Sequence, residues 1–142
     1  MEETIKVLIS VKTIQSFEDD VEEIELVTEG TYTNMGDYYL GKYEESEISG
    51  MKGTHTRLEI YSDRVNLIRE GTTNSNLSFK LLEDHVSLYG TKHGAFDVVL
   101  STRKVNIDVN NEGGIIELDY IIETGKIAVS HNKLTLTITK ID

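Results

Sequence analysis

Hydrophobic and polar residues alternate along most of this chain. Over residues 5–15, Ile5, Val7, Ile9 and Val11 keep one phase while Lys6, Ser10 and Lys12 keep the other. A period of two predicts a half-buried β-strand. Residues 21–34 are rich in Val, Thr, Ile and Tyr, with Gly30 inside the run. A glycine there predicts a bulge or sharp bend, which a closing barrel needs. Phe17–Asp20 reads as a polar turn between these two runs, and Met35-Gly36-Asp37 as a hairpin turn into 38–45. The longest connection is Glu45–Gly53, holding Gly50 and Gly53. Arg57–Tyr61 and Arg64–Arg69 then form a hairpin around Ser62-Asp63.

The same alternation continues to the end. It runs through Leu77, Phe79 and Leu81, through Val86 and Leu88, and through Phe96, Val98 and Leu100. Val105, Ile107 and Val109 follow, then Ile116, Leu118, Tyr120 and Ile122, then Ile127–Val129, and finally Leu134, Leu136 and Ile138. Polar or glycine-rich breaks at Gly71–Ser75, Glu83-Asp84, Lys92–Gly94, Asn110–Gly114 and Thr124–Lys126 separate the runs. About ten extended runs at this spacing predict an all-β sandwich or barrel. No stretch sustains a helical period, and the best helical stretch, Phe17–Glu25, reads equally well as turn then strand. Short local connections favour an up-and-down meander, and closure removes exposed strand edges. The expectation is one domain over residues 1–142: an antiparallel up-and-down β-barrel, closed or nearly so, of about 8–10 strands.

The runs YEESEISGMKGTHT, VNLIREG, NSNLSF, LYGTKHGAFDVVLST, GGIIELDY and SHNKL together resemble the YwiB-like family. Its members are uncharacterised bacterial proteins with a calycin-like, lipocalin-like barrel. The resemblance extends from about Ile5 to Ile138 and implies a closed antiparallel barrel, in agreement with the alternation. It brings no catalytic or binding residue with it. Classical lipocalins use a Trp near the first strand, and this chain contains no Trp, so the resemblance stops at the fold.

Composition narrows the partners. The chain has 142 residues and no cysteine, which removes disulfides and thiolate metal sites and fits a reducing cytoplasm. Its N-terminus is acidic and enters alternation at once, unlike an export signal. The formal net charge is −11. Such a surface repels phosphate backbones and anionic bilayers, so neither nucleic acid nor a membrane is an expected partner.

Candidate chemistry gathers in residues 43–69. Arg69 is in phase with Val65 and Leu67, so it points inward or sits at a barrel mouth. A buried arginine needs an anion. Glu44 and Glu45 lie in the preceding run but face opposite ways. Glu45 shares the phase of Tyr43 and is the expected partner. Tyr43, Glu45, Arg57 and Arg69 are therefore the candidate ligand-binding residues, with a structural ion pair as the alternative use of the same groups.

Asp108, Asn110, Glu112, Gly113 and Asp119 approach the spacing of a calcium loop. The flanks alternate as strands, however, and the calcium motif needs helices, so a β-hairpin is expected. His55, His85, His93 and His131 show no metal-ligand spacing. Nucleophile motifs and phosphate-cradling glycine loops are lacking. The sequence predicts a barrel without cofactor or metal, monomeric or homodimeric, that binds a small amphiphilic or anionic molecule without catalysis. A filled barrel serving structure or protein interaction is the alternative, and a carboxylate-dependent enzyme comes third.

Overall fold

The computed structural model describes residues 3–46, 48, 51–91, 94–124 and 128–141. Gly50 of the expected long connection, Lys92 and His93 of one expected turn, and residues 125–127 lie outside them. Ten strands follow one another: β1 (Thr4–Phe17), β2 (Asp20–Asn34), β3 (Tyr39–Glu44), β4 (Thr54–Ile60), β5 (Arg64–Gly71), β6 (Ser75–Lys80), β7 (Asp84–Thr91), β8 (Gly94–Asn110), β9 (Gly113–Thr124) and β10 (Ala128–Lys140). All pair antiparallel in a single sheet of order β6-β5-β4-β3-β2-β1-β10-β9-β8-β7. The meander thus runs outward in both directions from the β1–β10 ladder, which extends from Val7 opposite Lys140 to Ser16 opposite His131.

The sheet curls until its edge strands meet, and β6 faces β7. This seam is lightly bonded. Asn74 and Gly90 exchange two backbone hydrogen bonds of 2.7 Å, and the His85 ring nitrogen Nε2 lies 3.1 Å from the Asn76 carbonyl. The barrel is therefore nearly closed. No helix among the described residues is long and apolar enough to cross a membrane.

Two local features differ from the expectation. Gly30 is not a bulge: the ladder runs in step through it, Val7 opposite on one side and Tyr43 on the other. A methyl group at Gly30 would collide with the Lys42 carbonyl oxygen and lie 2.7 Å from Ile9 Cδ1, so close packing excludes a side chain there. The register shift falls instead in β8, between Thr102 and Lys104. It joins what the sequence presents as two runs into one long strand, and it moves the inward phase from even residues (Val98, Leu100) to odd ones (Val105, Ile107).

The core is packed toward one end, where the β2–β3, β4–β5 and β8–β9 turns lie. Val7, Ile9, Tyr32, Ile60, Val65 and Ile138 are almost wholly buried. Tyr32 stacks on Tyr39 with ring centroids 5.1 Å apart and donates its hydroxyl hydrogen to the Asn110 carbonyl at 2.8 Å. Tyr39 reaches Asn111 Oδ1 at 3.1 Å, and Asn34 reaches the same oxygen at 2.8 Å. The β8–β9 hairpin is thereby tied across the barrel end. Its asparagines serve turn and tie, because Asn110 Oδ1 also accepts from the Glu112 amide. The segment that approached calcium-loop spacing is a β-hairpin, as its flanks predict.

Candidate functional site

The opposite end is not filled. A cavity of about 630 Å3 occupies that half of the barrel. Along β2 the inward side chains pass from exposed Glu22 through half-buried Ile24 to buried Leu26, so the cavity opens beside the β1–β2 hairpin. Its deeper wall is apolar: Leu58, Leu67, Leu77, Phe79, Leu118 and Leu136. Leucine and phenylalanine alternate there with outward polar residues, which is why each strand has one dry face.

A row of inward polar groups crosses β3, β4, β5 and β6 beside that wall. Register places Tyr43 opposite Thr56, Thr56 opposite Arg69, and Arg69 opposite Ser75, one continuous inward row across four strands. Gly30 ends the row on the β2 side, with the Ile9 side chain packed over it. Glu45 lies one inward position further along. Its amide donates to the Thr54 carbonyl at 2.9 Å, and its carboxylate accepts from the Thr56 hydroxyl at 3.1 Å through Oε1. Tyr43, Glu45 and Arg69 all line the cavity.

The electrostatics of this row follow from burial. Glu45 is only 6% exposed, and its Oε2 has no hydrogen-bond partner. Arg69 Nε and the Ser75 hydroxyl are likewise buried without partners. Burial pushes the Tyr43 hydroxyl well above the usual tyrosine range, the neighbouring Glu45 carboxylate pushes it further, and the Arg69 guanidinium pulls against both. The direct Arg69–Glu45 pair expected from the sequence does not form: among the described residues no salt bridge joins them. Arg69 is held opposite Thr56, while Glu45 spends one oxygen on Thr56 and sits a step away along β3.

Arg57 is a further correction. It belongs to the outward phase of β4, between inward Thr56 and Leu58, and its side chain lies 3.9 Å from Glu59 outside the cavity. Glu44 also faces out, bonded to His55 at 2.6 Å with both side chains largely exposed. The two adjacent glutamates therefore serve different faces, as alternation requires.

Sequence reasoning passed over two cavity residues, Ser130 and Asn132. Both are buried, and Asn132 Nδ2 donates to the Ser130 hydroxyl at 3.1 Å. Stepping back by twos from Leu136 and Leu134 puts both on the inner face, so the signal was present in the period.

The pattern of a protein family described as a domain of unknown function, DUF1934, matches residues 9–136. The chain belongs to the DUF1934 family. It is 24% identical over 138 residues to the uncharacterised β-barrel protein YwiB of Bacillus subtilis (strain 168), covering 96% of this chain and 95% of that one. The crystal structure of the B. subtilis ywiB protein superposes with a TM-score of 0.88 at 20% identity, over 98% of this chain and 94% of the other. This DUF1934 chain is thus all-β and shares the barrel fold of YwiB, as the sequence resemblance implies. The family description assigns no activity.

Proposed function

We propose that this DUF1934 barrel binds a small amphiphilic or anionic molecule and carries out no chemistry on it. The observation behind the reading is the cavity of about 630 Å3 with the Tyr43–Glu45–Arg69 group on a wall whose deeper part is mostly apolar. Ligand pockets commonly span roughly 300–1,000 Å3 and combine apolar walls with a few convergent polar groups. The apolar half of the ligand lies against Leu58, Leu67 and Leu118, and its polar end lies at Arg69. Catalysis by paired carboxylates is disfavoured because Glu44 points away from Glu45. Native mass spectrometry of the protein purified from its host tests the proposal: a bound small molecule that is lost in Arg69→Met supports it. Protein that carries nothing and takes up no amphiphile from a broad panel would sink it.

A second reading, protein interaction, has one observation in its favour. Val86 and Leu88 on the outer face of the seam strand β7 are 68% and 62% exposed. Pull-down with wild type and a Val86→Ser/Leu88→Ser variant separates this surface from the cavity, since only a surface partner would be lost.

A further inference from the structure

The cavity wall holds two orphaned groups of opposite character. Glu45 Oε2 can only accept a hydrogen bond while the carboxylate is ionised, and Arg69 Nε can only donate one. Each is buried and lines, or belongs to a residue that lines, the same cavity. Leaving such an atom unsatisfied is costly, and more so when the group is charged. The two orphaned atoms are not bonded to each other. Thr56 faces Arg69 across the ladder and engages Glu45 through Oε1. The wall thus carries a carboxylate and a guanidinium that do not pair with each other, both on residues that line the cavity.

We propose, on the basis of the ligand-binding reading above, that the occupant has a polar end bearing a donor and an acceptor side by side and no net charge, joined to an apolar chain or ring. A primary amide has this complement, and so does the ammonium–carboxylate end of an α-amino acid. A bare carboxylate satisfies Arg69 but meets Glu45 with like charge. A bare ammonium satisfies Glu45 but opposes Arg69. Either mismatch leaves one buried group unpaired or repelled, which is how polar sites discriminate. The approach to the wall adds to the case against an anion: exposed Asp20 and Glu22 line the mouth, and the chain carries a net charge of −11.

The test uses the neutral dye N-phenylnaphthylamine as a fluorescent probe of the cavity, displaced by octanamide, 2-aminooctanoic acid, octanoate and octylamine. These share one chain length and differ only at the polar end. Octanamide or 2-aminooctanoic acid should bind at least about tenfold more tightly than octanoate and octylamine, a factor of ten being 1.4 kcal/mol. Whichever of the two wins identifies the amide or the zwitterion as the source. Glu45→Gln should then improve octanoate by about tenfold, and Arg69→Met should do the same for octylamine. Octanoate or octylamine binding tightest to the wild type overturns the inference while leaving the ligand-binding reading standing. Probe uptake with no displacement by any of the four also overturns the inference alone. A protein that takes up neither probe nor any of the four compounds overturns both. The wild-type ranking stands by itself if either variant fails to fold.

Discussion

A guanidinium and a carboxylate buried on one wall ordinarily pair, and removing one member of a buried pair costs roughly 3–5 kcal/mol. Arg69 and Glu45 are not bonded to each other, and Arg69 Nε is unsatisfied. Arg69→Met should therefore cost less than about 1 kcal/mol in thermal or denaturant melts, because it also removes a buried donor that has no acceptor. A loss of the full buried-pair size would show that the two groups pair in solution. Gly30 is sensitive for a different reason. Any Cβ there collides with the Lys42 carbonyl, a backbone atom that cannot swing aside. Gly30→Ala should destabilise by roughly 1–3 kcal/mol, the usual range for overpacking, and urea melts would show it as a lower midpoint at unchanged slope. At this scale the phase of each strand told which way Tyr43, Glu45 and Arg69 point. It also placed Arg57 outward, between Thr56 and Leu58, although charge complementarity alone had grouped it with the others.

Among the strands, stability should be uneven. β1 is bonded along its length to both β2 and β10, whereas β6 and β7 meet through the Asn74–Gly90 bridge and the His85–Asn76 contact. Opening free energy follows local bonding and packing. Native-state hydrogen exchange should find the amides that β6 and β7 turn toward the seam exchanging before those of β1 and β10. Equal protection at the seam and in β1 would mean that the barrel is fully closed in solution. The strands themselves were legible because each keeps a period of two, and the turns because glycine and asparagine mark them. The β8 bulge was also written in the sequence, as a change from even Val98 and Leu100 to odd Val105 and Ile107. It reads as two strands until a partner shows the ladder continuing: β9 pairs with both halves.

For the molecule as a whole, two buried tyrosines set an alkaline limit. Burial raises the Tyr32 hydroxyl, with Tyr39 adding to it, and burial together with Glu45 raises that of Tyr43, both from an ordinary value of 10.0. A raised folded-state pKa means that the folded protein holds the proton more tightly than the unfolded chain does. The associated stability is complete below the unfolded value and declines as pH rises above it toward the folded one. Melting temperature should therefore fall with increasing pH above about 10, and Tyr43→Phe should flatten that fall. Identical alkaline profiles for wild type and variant would contradict the burial of this hydroxyl. By itself the sequence determined the all-β class, the phase of most strands, the acidic surface and the inward direction of Arg69, because alternation is a local property of a chain with one dry and one wet face; β7 is the exception, with Val86 and Leu88 turned outward. Only the tertiary structure decided that the sheet begins its closure at β1–β10 and ends it at a thin β6–β7 seam. It alone decided that one half of the barrel is packed and the other hollow, and that Glu45 bonds Thr56 rather than Arg69. Those facts depend on register between strands distant in sequence and on the volume their side chains jointly leave unfilled, which no local pattern encodes.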